Sequence, residues 1–262
     1  MRLGLLVMMV MALAAGGADA QEQARIITVP TARIGVVQPI LLVTPARPWD
    51  TAMILFVGKG GNADVQRNGA GGRGTNTLYR GMDILVREGL AAAIVDHPSD
   101  RSSLWNYRTT ADHADDIAHV IGALKELGAK QVWLAGISMG SLSAASVAQR
   151  LKSDGPDGIV LLSSVINTNR ESAETILQVP LEDIAVPTLV VRNPADGCKS
   201  SPPHGAERIM GRLEHAPVKR LMEFSGGTAD RSGPCDALSA HGFIGLEDQV
   251  LSAIADWVKA PR

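Results

Sequence analysis

The sequence predicts an α/β protein built on a mostly parallel central sheet, and two observations carry that prediction. Apolar runs recur at 26–29, 34–43, 52–57, 91–95, 132–135, 159–162, 188–191 and 218–224, and the middle ones are nearly continuous in Ile, Val, Leu and Ala. Segments of helical apolar spacing separate them at 76–88, 110–127, 139–152, 204–214 and 246–259. Strands covered by helices on both faces lose the in/out alternation of a half-exposed sheet, and strand–helix alternation along the chain implies parallel pairing. The runs amount to a sheet of about eight strands.

The first two runs lie close together around Thr31 to Arg33, so a hairpin is expected before the strand–helix alternation begins. Between the run ending near Ser163 and the one starting near Thr188 lie only about 24 residues, and Leu181 to Pro187 reads as a lead-in loop. That leaves room for a minimal lid and no inserted domain.

Met1-Arg2, an apolar stretch from Leu3 to Ala15 and the small-residue ending Ala18-Asp19-Ala20 have the form of a secretory signal peptide over residues 1–20. The stretch is too short to span a bilayer, and its small, flexible ending disfavours a core helix. Cleavage after Ala20 would leave residues 21–262 as a single domain, exported to the periplasm or the medium, with no linker or repeat dividing it. The net charge of −2 provides no basic footprint for nucleic acid and no polybasic membrane patch. In an exported chain, the only two cysteines, Cys198 and Cys235, are expected to form one disulfide rather than a metal site.

Within residues 131–152, an apolar strand runs into Gly136-Ile137-Ser138-Met139-Gly140 and then into a helix rich in small side chains. With 27 glycines in the chain the G-x-S-x-G pentapeptide alone is weak. Its strand–turn–helix context gives it meaning. A serine at the tip of such a turn has a strained backbone, glycines at both flanks make space, and the helix start aims unpaired N–H groups at any anion forming there. A serine hydroxyl needs a base to take its proton, and the base needs an acid to orient it. Asp196 follows the apolar run at 188–191 in a Pro-Ala-Asp-Gly turn, and His241 follows the last run in a loop before the final helix.

Ser138, Asp196 and His241, each placed after a strand and in that order, resemble the α/β-hydrolase superfamily over nearly the whole mature chain. The resemblance implies a Ser-His-Asp triad and an oxyanion hole with Met139 N–H as one donor. The other would come from Gly58-Lys59-Gly60-Gly61-Asn62 after the run at 52–57, from Gly60 or, as the alternative, Lys59. The superfamily often has His-Gly in this loop, which this chain lacks. Lys59 could favour anionic substrates, although a solvated lysine is the simpler reading. The implied activity is hydrolysis of carboxylic esters or related acyl bonds in a small-molecule substrate, without a cofactor or an evident partner protein. A peptidase or amidase of the same fold, or a non-catalytic binding protein on this scaffold, remains an alternative.

Other patterns compete. Gly69 to Gly74 matches G-x-G-x-x-G with Asp96 downstream, close to a dinucleotide-binding spacing, but it starts well past the end of the preceding apolar run. A glycine-rich extension of the oxyanion loop is the plainer reading. Asp112, His113, Asp115, Asp116 and His119 crowd one helix and could hold a metal, yet a solvated polar face accounts for them. Trp105 and Tyr107 could line a pocket or cover the sheet edge.

Overall fold

The computed structural model describes residues 23–65, 74–168, 170 and 173–260. The segment read as a signal peptide and most of the Gly69–Gly74 match lie outside them. Eight strands form one sheet among the described residues: β1 (Gln23–Pro30), β2 (Val37–Thr44), β3 (Thr51–Phe56), β4 (Ala91–Val95), β5 (Gln131–Ile137), β6 (Gly158–Leu162), β7 (Thr188–Arg192) and β8 (Lys219–Glu223). Their order is β1-β2-β4-β3-β5-β6-β7-β8. β1 and β2 form the expected antiparallel hairpin, β2 pairs antiparallel with β4, and all remaining pairs are parallel. β2 begins later than the apolar run at 34–43 because Gly35, at φ 75°, turns the chain there.

The helices are α1 (Thr77–Arg80), α2 (Met82–Arg87), α3 (Ala111–Glu126), α4 (Gly140–Leu151), α5 (Gly205–Arg212) and α6 (Glu247–Lys259). Strand side chains alternate between two helical layers. Ile54 and Phe56 point toward α3 and α4, whereas Met53 and Leu55 share a cluster with Leu78, Leu85, Leu251 and Ile254 from α1, α2 and α6. Both faces are therefore apolar, which explains the continuous runs. Each fully buried Ile or Leu of β3 contributes about 2 kcal/mol by leaving water. The helix expected over 76–88 is broken at Gly81, where a Cβ would lie 2.1 Å from Leu251 Cδ1. Close packing against α6 overrides the local helical pattern there.

Between β6 and β7 the described chain makes two short helical turns, Ile176–Gln178 and Leu181–Asp183, packed beside α4. No helix among the described residues is long and apolar enough to cross a membrane.

His113, on the inner face of α3, is fully buried, with its ring edge-on to Phe56 at 5.9 Å and Tyr107 at 5.5 Å. Burial, helped by the nearby Arg108, Arg101 and Arg33 charges, lowers its pKa to about 3. A histidine whose folded pKa is depressed takes up a proton in the unfolded chain first, so stability falls as pH drops from about 6.5 toward 3. Between pH 7 and 5 this single group removes about 2 kcal/mol. In His113→Met, the difference between urea-unfolding free energies at pH 7 and pH 5 should shrink by that amount relative to wild type. An unchanged difference would mean that His113 titrates alike in both states.

Candidate active site

The C-terminal ends of β3, β5, β7 and β8 converge, as parallel sheets bring the ends of successive strands to one edge. At the end of β5, Ser138 has φ 57°, a left-handed conformation that only surrounding structure can hold. Three contacts hold it: its N–H donates to Leu162 O at 2.9 Å, while its carbonyl accepts from Ser141 N at 3.1 Å and Ser141 Oγ at 2.6 Å. The flanking glycines are required by space. A Cβ on Gly136 would sit 2.1 Å from Gly140 O, and one on Gly140 would sit 2.1 Å from Phe56 O. The sequence thus makes an elbow by letting α4 start against the end of β3.

Asp196 follows β7 in a loop shaped by Asn193, whose side chain accepts from Ala195 N and whose carbonyl accepts from Asp196 N. One carboxylate oxygen of Asp196 accepts from Cys198 N and the other from His241 Nδ1, both at 2.8 Å. Both side chains are buried, so this charge-assisted bond is little screened. It also fixes the tautomer, leaving Nε2 as the free nitrogen. The loop carrying His241 is held through its carbonyls: Ser163 Oγ donates to His241 O at 2.9 Å, and Arg80 Nη2 and Thr77 Oγ1 donate to Gly242 O at 2.8 and 2.5 Å. His241 Nε2 has no hydrogen-bond partner among the described residues. It lines the same hollow as Ser138, without a bond to the serine hydroxyl.

Two hollows meet at Ser138. The larger, of about 460 Å³, includes His241, Gly58, Asn62, Asn76 and Ser232 in its wall. The other, of about 310 Å³, is bounded by Trp105, Met139 and Val165. Lys59 and Cys235 border both. Of the two aromatic residues in question, Trp105 therefore lines a pocket, whereas Tyr107 is buried and donates to Asp116 Oδ2 at 2.8 Å.

Cys198 and Cys235 form a disulfide with Cα atoms 4.6 Å apart, joining the Asp196 loop to the loop that leads to His241. Closing that 37-residue separation stabilises the fold by about 4 kcal/mol on a chain-entropy estimate. Nearby, the Lys59 ammonium pairs with Asp236, and this hydrogen bond draws the Asp236 carboxyl below its ordinary range. The Lys59 charge is thus matched within the protein.

The loop after β3 departs from expectation in detail. Gly61 N donates to Gly58 O at 3.1 Å, closing a turn in which Lys59 has φ 49°. Gly58 is the glycine next to the serine: a Cβ there would lie 3.1 Å from Ser138 Cβ. Lys59 borders both hollows, whereas Gly60 is buried behind them, its carbonyl accepting from Leu104 N at 2.7 Å. Met139 N–H, at the start of α4, has no acceptor among the described residues. Arg108, which nothing in the sequence singles out, is fully buried and donates to Val57 O and Lys59 O at 3.0 Å and to Ser143 Oγ at 2.9 Å.

The competing patterns resolve into structural roles. Asp96 accepts from the N–H groups of Ala63, Val65 and His97, so its two oxygens secure the chain beyond the β3 turn rather than await a ribose. On α3 the solvated face expected for these residues holds only for Asp112, Asp115 and His119; His113 and Asp116 are buried by packing against Tyr107, with Asp116 accepting from Tyr107 and Arg33, while the His119 ring bonds the Asp115 carbonyl. Among the described residues no group of three or more His, Cys, Asp or Glu is placed to hold a metal.

The fold is that of the α/β hydrolases. An esterase from Pyrococcus furiosus superposes with a TM-score of 0.65 at 13% identity, covering 91% of this chain and 91% of its own. An esterase from Exiguobacterium antarcticum gives 0.61 at 15%, covering 89% and 99%. A Xanthomonas campestris protein described as an α/β serine hydrolase without a lid gives 0.55 at 14%, covering 92% and 97%. The sequence matches no family model and no curated protein. At such identities the likeness is one of fold.

Reduction of the Cys198–Cys235 disulfide should loosen the register of Asp196 against His241 before the domain unfolds. In dithiothreitol at 25 °C, with two thiols counted per chain, turnover of an ester substrate should fall while far-UV dichroism is retained. Full turnover with both thiols free would refute the link.

Proposed function

We propose that this protein is an exported serine hydrolase that cleaves carboxylic esters through Ser138, His241 and Asp196. The observation that carries the reading is the buried 2.8 Å bond from His241 Nδ1 to Asp196, which turns Nε2 into a wall shared with the strained Ser138. His241 Nε2 takes the Ser138 proton as Oγ attacks the ester carbonyl, and the contact between them closes as substrate fills the hollow. The oxyanion is held by Met139 N–H together with an N–H of the Lys59–Gly60 stretch. The Lys59 carbonyl is aimed at Arg108, and in a planar trans peptide the Gly60 N–H points the opposite way, away from the buried guanidinium, while Lys59 itself borders both hollows. His241 then passes the proton to the leaving alcohol, and water repeats the cycle on the acyl enzyme.

Because the general acid must touch the leaving oxygen, the alcohol belongs in the hollow of about 460 Å³ that contains His241. The acyl group belongs between Trp105, Met139 and Val165. Export is supported by the leader pattern and the disulfide. The esterase titles of the fold relatives agree with this substrate class.

Wild-type protein should react with a fluorophosphonate probe and hydrolyse p-nitrophenyl esters, and Ser138→Ala should lose both, with kcat reduced at least 10⁴-fold. Labelling that persists in Ser138→Ala, or a wild type inert to probe and esters alike, would reject the assignment. Amide analogues run beside the esters separate esterase from amidase. Trp105→Ala should shift the preferred acyl chain toward longer esters, changing the ratio of kcat/KM between long and short chains by about tenfold or more. The same chain-length profile in mutant and wild type would remove the acyl group from that hollow.

A further inference from the structure

We propose that Arg108 is the positioning residue of the oxyanion loop, holding the Val57 and Lys59 carbonyls so that the N–H groups of that turn stay aimed at the reaction centre, and placing its positive charge behind the forming oxyanion. The proposal rests on the reading of Ser138 as a nucleophile. Arg108 is a guanidinium with none of its surface in water, and its three hydrogen bonds all go to neutral groups. A buried charge costs several kcal/mol unless something offsets it. Val57 O and Lys59 O flank the turn beside Ser138, and Ser143 Oγ lies in the first turn of α4, whose N-cap is Met139. One planar fork thus ties the loop bearing one oxyanion donor to the helix bearing the other.

Peptide planarity turns those carbonyl contacts into N–H directions. Each trans peptide sets its N–H opposite its C=O, so holding Val57 O and Lys59 O fixes the Gly58 and Gly60 N–H groups. The loop has reason to flip without that hold. Lys59 is in the left-handed region, a conformation disfavoured for a residue with a Cβ, and the loop is built on Gly58, Gly60 and Gly61, whose peptides rotate with little steric resistance. Gly61 leaves the guanidinium its place: a Cβ there would lie 2.8 Å from Arg108 Nη2. Burial draws the guanidinium down to about 10, opposed by the field of Glu174, so it stays charged at neutral pH. Donors and charges set in place before reaction stabilise the transition state without reorganisation, and they act on turnover more than on ground-state binding.

The test compares wild type, Arg108→Lys and Arg108→Met with an ester substrate and with a trifluoromethyl ketone, which forms an oxyanion-bearing adduct with an active-site serine. Arg108→Met should lower kcat by about 100-fold with KM changed less than threefold, and should weaken the ketone in parallel with kcat. Arg108→Lys should recover part of both. Equal kcat in the three proteins, or losses that appear in KM and thermal midpoint alone, would overturn the proposal while leaving the hydrolase reading intact. A wild type inert to the ester would overturn both. If Arg108→Met does not fold, Ser143→Ala, which removes one fork contact, should lower kcat severalfold at constant KM, and an unchanged kcat there would count against the proposal.

Discussion

The structure depends on one close approach, the start of α4 against the end of β3. Gly140 sits on the carbonyls of Phe56 and Val57, so near that no side chain fits between them. That contact forces the chain to reverse over Ser138 and puts its hydroxyl at the sheet edge. It also brings the β3 loop to the first turn of α4, so that two backbone segments far apart in sequence face one point. The buried fork of Arg108 lies across the same junction. Core packing elsewhere sets the sheet, but this junction decides where Ser138 sits at its edge.

Asp196 and His241 are organised differently. They come from loops, and loops need anchoring that a strand does not. Asp196 is framed by Asn193 and the Cys198 N–H, while the His241 backbone is held by Ser163, Arg80 and Thr77. The disulfide joins the two loops covalently where few apolar contacts are available to do so. A rigid elbow therefore faces a pair of partners held by polar bonds and one covalent link.

The fold, the turn at Ser138 and the loops that carry Asp196 and His241 were legible in the sequence because each left a local trace. Helix cover on both faces produces unbroken apolar strands, the elbow requires Gly136 and Gly140 around Ser138, and Asp196 and His241 stand in loops directly after strands. What was not legible depends on contacts between distant segments. Arg108 sits among Tyr107, Thr109 and Thr110 with no pattern to mark it, and only the fold brings it under the β3 turn. Asp96 had the spacing of a nucleotide ligand, yet three backbone N–H groups claim it. The break at Gly81 came from Leu251, 170 positions away in the chain. Local pattern reports what a residue can do, and packing selects among the options.

The ties between α1 and the His241 loop bear on how the molecule comes together. Arg80 and Thr77 bond a carbonyl more than 150 residues downstream, and β8 lies at the sheet edge with β7 as its neighbour. Contacts of such sequence separation are slow to form, since the loop they close must lose its freedom first. The turn at Ser138 is held by β3 and β6, whereas the His241 segment docks through bonds to α1 and Ser163. On the proposed reading, the serine turn is set by contacts among β3, β5 and β6 while its base rides on the last loop of the chain, so activity waits for the final segment to dock.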